Sequence, residues 1–293
     1  MNSKQILASV IAVLAVIGIY FGTSNVKPQK EKENHDGHEH KEEASNAPMM
    51  GGPMNAPAAD FDSLLADIKK KILSPQVRAE VENIENQTNT ATDNKQKFTA
   101  YESLGKKWLA IGQKGIAAHY FEIAGNLENS EKILIFAAHL YEEGFSNASN
   151  PAVSKLFANG QVASLKNVVT INPKNDSAAL GLGLAMINQG DMMNGIVKIR
   201  DLADRNPQNI DAQITLGKMS LQTNQADKAI ERAELALKVA PNNAEAHLIL
   251  GEAYKEQKKF DKAVEHFRIA KKLINRPEFD KEIENYIASF EKA

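Results

Sequence analysis

The chain has 293 residues, a formal net charge of −2 and no cysteine. Without cysteine there are no structural disulfides, no thiol nucleophile and no lipid attachment through an N-terminal Cys. The basic residues are dispersed, and no basic stripe interleaved with aromatics marks a nucleic-acid surface.

The first element is an uncharged run from Ile6 to Gly22, 17 residues long. As a helix it measures about 26 Å against a hydrocarbon core of about 30 Å. Adding Gln5, Thr23 and Ser24 closes that gap, and Tyr20 and Phe21 stand where an interfacial aromatic belt would lie. Residues 1–26 are therefore expected to be an N-terminal transmembrane anchor that enters the membrane through residues 5–24. A cleaved secretory signal is the second reading, although no Ala-x-Ala site follows and Tyr20 and Phe21 are bulky. Lys4 flanks one side and Lys27, Lys30 and Lys32 the other, so the charge rule leaves orientation open.

Residues 27–59 are charged, then rich in Ala, Gly, Pro and Met, with no helical period. Such a composition makes a flexible tether with an end-to-end distance of about 30 Å. It carries His35, His38 and His40, followed by Met49, Met50 and Met54. Imidazole and thioether ligands suit late first-row metals, so this tract is a candidate Cu or Zn site. Nothing preorganises the three imidazoles, and a solvated acidic spacer has the same composition. Apart from that ion, no cofactor is expected.

Helical spacing begins with Phe61, Leu64, Leu65, Ile68 and Ile72, then Val77, Val81 and Ile84, which predicts a helical N-terminal cap over 60–97. Beyond it the chain repeats itself. Pro173, Pro207 and Pro241 stand 34 residues apart, as do Gly183, Gly217 and Gly251, and Leu182, Leu216 and Leu250. A fixed phase of this length means stacked helix–turn–helix units. In the last unit His247, Leu250, Gly251 and Tyr254 share one face of a first helix, and Ala263, Phe267 and Ala270 mark the inner face of a second. Each Pro ends a unit, and Asn175 and Asp176, Asn209 and Asp211, and Asn242 and Asn243 just after it supply caps for the next helix.

The unit at 98–131 carries Tyr101, Leu104, Gly105, Trp108, Gly112, Ala117, Phe121 and Ala124, and those at 176–209, 210–243 and 244–277 follow in register. With these residues the chain resembles the tetratricopeptide repeat (TPR) family, and in its layout the bacterial single-anchor TPR proteins. Three departures weaken individual units: Gly195 replaces an Ala, Ala233 replaces an aromatic, and Pro277 comes two residues late. Residues 132–175 read as a degenerate unit with an insertion of about 11 residues, a loop from Gly144 to Pro151 and one or two helices from Val153 to Val169. Residues 278–293, with Phe279, Ile283, Ile287 and Phe290 on one face, read as a C-terminal capping helix. The expected fold is all-α: a TPR-type α-solenoid, a right-handed superhelix of helical hairpins over 98–277, with an N-terminal transmembrane helix.

The resemblance implies a protein or peptide partner held in the concave groove by the second, fifth, ninth, twelfth and thirteenth residues of each unit. Transferred to this chain, they give a strip of Leu180, Leu184, Ile187, Ile214 and Leu221 with Lys218, passing to Leu248, Glu252 and Lys255. Glu102, Leu180 and Leu184 break the pattern of the TPR type that clamps a C-terminal carboxylate. An apolar strip suits a partner's helix or extended segment, and the same residues equally suit packing between units. Gly181 and Gly183 suggest a dinucleotide loop, but Met186 replaces the third Gly and the segment is helical. No HExxH, GxSxG or phosphate loop occurs, and the carboxylates are spaced as solvated helix faces, so no enzyme activity is expected. The expected function is a non-enzymatic, membrane-anchored scaffold for protein interaction, with its soluble domain in the periplasm as the resemblance implies. Envelope assembly or cytochrome maturation, metal handling through the tether, and self-association stand as alternatives.

Overall fold

A computed structural model describes residues 57–291, which fall within one compact unit, Gly51–Ala293. The anchor segment and the His/Met tract lie outside the described residues. Among the described residues there are thirteen helices and no strand, and none of the helices is long and apolar enough to cross a membrane.

The chain opens with the hairpin α1 (Phe61–Ile72) and α2 (Pro75–Thr90). Their starts are set by Asp60 and Ser74, whose side chains accept from the backbone N–H of Ser63 and Val77. Next come α3 (Asn94–Ala110) with α4 (Lys114–Leu127), and α5 (Glu131–Ser146) with α6 (Pro151–Ile171). The hairpins α7 (Asp176–Gln189) with α8 (Met192–Arg205), α9 (Ile210–Gln222) with α10 (Ala226–Val239), and α11 (Ala244–Glu256) with α12 (Phe260–Ile274) follow. Helix α13 (Pro277–Phe290) ends the series. Helices touch mainly their neighbours in sequence, with first-to-first (α9 on α11) and second-to-second (α4 on α6) contacts between adjacent hairpins. That is the contact pattern of a linear stack.

The period seen in the sequence returns as repeated local geometry. Asn175, Asn209 and Asn243 each accept the N–H three residues on, at 2.9 Å in all three cases. Their own N–H groups donate to the carbonyls of Asn172, Asn206 and Ala240, each at 3.0 Å, so the chain rounds each Pro the same way. The turn inside four of the six hairpins also repeats. Gly112, Gly190, Asn224 and Lys258 all have positive φ and donate to the carbonyl three residues back.

Packing explains the small residues. A Cβ on Gly251 would lie 2.8 Å from the Phe267 ring, and one on Gly105 2.9 Å from Phe121. Ala117, Ala229 and Ala263 are fully buried at the matching seams. The departures from the pattern have local compensation. Gly195 allows an approach so close that a Cβ there would be 2.5 Å from the Gly183 carbonyl. Where Ala233 leaves out the aromatic, Ile249 of the next unit fills the space beside Gly217.

One expectation for the degenerate unit is corrected. The segment from Gly144 is not a loop, because α5 continues to Ser146 and only 147–150 interrupt the helices. Gly144 serves close approach instead, since a Cβ there would stand 2.8 Å from the Gly115 Cα. Val153 to Val169 forms one helix, α6, whose 21 residues absorb most of the insertion. At the far end Phe279, Ile283, Ile287 and Phe290 of α13 are buried, with the Phe290 ring 6.0 Å from Phe267 and 5.8 Å from Phe260.

Candidate partner groove

The expected groove is carried by the first helices, which present their fifth, ninth and twelfth residues one turn apart. On α7 these are Leu180, Leu184 and Ile187. Leu184 is 38% exposed, whereas Leu180 and Ile187 are half-buried against the cluster of Ile199, Leu202 and Leu216. On α9 the fifth residue, Ile214, is only 4% exposed and belongs to the core with Ala246 and Ile249. Lys218 and Leu221 are half-buried. Lys218 is not a free cation: its ammonium lies 2.6 Å from Glu245, the second residue of the next unit, and ties α9 to α11.

The last unit differs. Leu248 and Glu252 are 2% and 4% exposed, and Lys255 pairs with Glu252 at 2.8 Å. The Lys255 ammonium also donates to the Tyr286 hydroxyl of α13. Burial, with the Glu252 carboxylate second, pushes the Tyr286 hydroxyl well above its usual range. Burial and then Glu252 also raise the Glu256 carboxyl, against the opposing pull of Lys255. Helix α13 thus covers at this end what a further hairpin would cover. Of the nine expected groove residues, Ile214, Leu248 and Glu252 are interior and form no open surface. Leu184 is exposed on α7, Leu180, Ile187, Lys218 and Leu221 are half-buried on α7 and α9, and Lys255 is engaged by α13.

Two groove positions of the degenerate unit were missed in the sequence, although its first helix was expected there. In α5, Leu134, Ala137, Ala138 and Tyr141 repeat the spacing of His247, Leu250, Gly251 and Tyr254, which starts that unit at Glu131. Its fifth and ninth residues are then Ile135, half-buried, and His139, exposed. The signal was the spacing within the helix; the altered unit length obscured it. Among the described residues no group of three or more His, Asp and Glu is placed to hold a metal ion. His35, His38 and His40 lie outside the described residues.

Residues 214–277 match the model of the tetratricopeptide repeat family. No curated protein matches the chain. Among solved structures, the crystal structure of MamA protein is 22% identical, covering 60% of this chain and 91% of that one at a TM-score of 0.47. YrrB, described as a TPR protein with an unusual peptide-binding site, is 14% identical, covering 70% and 99% at a TM-score of 0.46. MamA 41-end from Desulfovibrio magneticus RS-1 is 19% identical, covering 53% and 95% at a TM-score of 0.38.

Proposed function

We propose that the chain is a non-enzymatic scaffold that holds a protein partner on the face of α7 and α9. The observation that carries this reading is Leu184, a large apolar side chain left 38% exposed on the same helix as half-buried Leu180 and Ile187, with half-buried Leu221 on the next first helix. Isolated exposed Leu residues are ordinary, but an apolar row at helical spacing on successive first helices suits the apolar face of a helix or an extended segment. Lys218 and Glu245 border the row as an ion pair and supply its polar edge. The expected partner is a polypeptide and not a small ligand.

The proposal extends to the ends of the chain as the sequence suggests. Ile6–Gly22 anchors the scaffold in a membrane, residues 27–59 let it stand off the surface, and the repeats face the periplasm. Envelope assembly or cytochrome maturation, and metal handling by His35, His38 and His40, stay as narrower versions. Deleting residues 33–55 separates them, since a scaffold tolerates a shorter tether and a metal carrier does not.

The test is recovery of partners from native membrane with the wild type, Leu184→Lys and Leu221→Lys. Leu184 is exposed and Leu221 half-buried, and a lysine at either place can carry its charge out to water along its stem, so circular dichroism checks that both variants stay folded. The groove reading expects loss of the bound protein with either variant. Two folded variants that keep every partner overturn it.

A further inference from the structure

The fourth residue of each first helix meets the twenty-third residue of the same unit, on the second helix. Tyr101 stacks on Tyr120 at 6.4 Å between centroids in the first unit. In the unit of α9 and α10 the pair is Gln213 and Arg232. The buried Gln213 amide donates to the Pro207 carbonyl at 3.2 Å and accepts from Arg232 at 3.2 Å, and Asp204 balances the guanidinium at 3.8 Å. One unit on, the same places hold His247 and His266. His247 Nε2 lies 3.2 Å from the Pro241 carbonyl, and its Nδ1 faces His266 Nδ1 at 3.0 Å.

The acceptors assign the hydrogens. A carbonyl can only accept, so His247 carries its hydrogen on Nε2 and offers a lone pair at Nδ1. His266 must then donate through its own Nδ1–H. The ring centroids are 5.2 Å apart, the distance of two imidazoles meeting edge to edge through these nitrogens. A metal ion between opposed nitrogens would need about 4 Å at roughly 2 Å per bond. The space fits one hydrogen and no ion.

We propose that the His247–His266 link makes the last hairpin, and through it helix α13, release its packing on mild acidification, while the Gln213–Arg232 link holds. A second proton on the pair must take His247 Nδ1, which faces a donor, and so ends the bond. A first proton on His266 Nε2 keeps the bond but places a charge on a half-buried ring stacked on Tyr254 at 5.6 Å. Lys262 opposes that charge and Glu265 favours it, both on α12; from α11 His247 opposes it. Lys259 and Lys262 already occupy the Tyr254 ring at 5.9 Å and 5.1 Å. On α10, the residue 34 positions after Asp204 is Lys238, so the counter-charge that Arg232 enjoys has no equivalent. Burial, then His247, hold the His266 imidazole below its ordinary range. A lowered imidazole adds stability that is complete above about pH 6.5 and is lost as pH falls below it. The effect reaches α13 because the next residue, Phe267, packs on Gly251, Tyr286 and Phe290.

The test is hydrogen exchange of the full chain at pH 7.5 and 5.5, corrected for the chemical rate and normalised to α9. Protection of α12 and α13 relative to α9 is expected to be lower at pH 5.5 than at pH 7.5. The variant carrying Lys238→Asp, His247→Gln and His266→Arg transplants the preceding unit's polar set and is expected to keep the same ratio at both pH values. An unchanged ratio in the wild type, or an equal fall in the variant, overturns the proposal. Should the variant fail to fold, NMR titration of the wild-type imidazoles decides. A His266 imidazole that titrates in its ordinary range overturns the link, and a lowered one supports it.

Discussion

Four of the six hairpins turn through a residue of positive φ, namely Gly112, Gly190, Asn224 and Lys258, at +84°, +100°, +54° and +60°. Glycine adopts this conformation freely and asparagine tolerates it, but a lysine there costs about 1–2 kcal/mol. Lys258→Gly is therefore expected to stabilise the chain by about 1 kcal/mol, the gain being trimmed by the freer unfolded state. Urea unfolding measures it, and a destabilised variant contradicts the turn geometry. The two glycines of α7 make a sharper contrast. A Cβ on Gly183 would lie 2.9 Å from the Gly195 carbonyl, whereas one on Gly181 meets nothing nearer than Leu165 at 3.6 Å. Gly183→Ala should cost about 1–3 kcal/mol by forcing the helices apart, and Gly181→Ala should add roughly 0.5–1 kcal/mol of helix propensity. If both changes move the unfolding midpoint the same way, the α7–α8 seam is not packed as described.

At the scale of elements, the repeats were legible because one constraint recurs every 34 residues: a Pro exit, an Asn cap, a Gly at the crossing and a small residue opposite. The caps Asn175, Asn209 and Asn243 and the buried face of α13 could be read directly. Gly144 misled, since a glycine looks the same in sequence whether it breaks a helix or lets Gly115 approach. Ile214 and Leu248 misled for another reason. The fifth residue faces the groove or the next first helix according to how closely the units stack, and no local pattern encodes that distance.

Helix α1 depends on a contact that could not be foreseen: Phe61 lies on the His119 ring at 3.7 Å between centroids. Burial holds His119 down to about 4, only partly opposed by Asp62. Its folded pKa is depressed, so the neutral ring contributes stability that is full above about 6.5, the unfolded value, and lost as pH falls toward 4. Limited proteolysis between pH 7 and 4.5 should find α1 increasingly cleaved, and His119→Phe should remove that dependence. Equal protection of α1 across the range contradicts the buried-neutral assignment.

The whole stack has a division of labour. Its α1–α2 and α13 ends are covered, and the seams between hairpins are filled by Trp108, Ile199, Ile249 and Phe267. Leu184 stays exposed on α7, and the claim that it and the half-buried residues of α7 and α9 hold another polypeptide is the centre of the account. The most direct measurement is photo-crosslinking in cells from benzoylphenylalanine placed at position 184, with position 231, exposed on the second helix α10, as the control. The account predicts a discrete protein adduct from 184 that disappears with Leu221→Lys, and none from 231. No adduct from 184, or the same adduct from both positions, contradicts it.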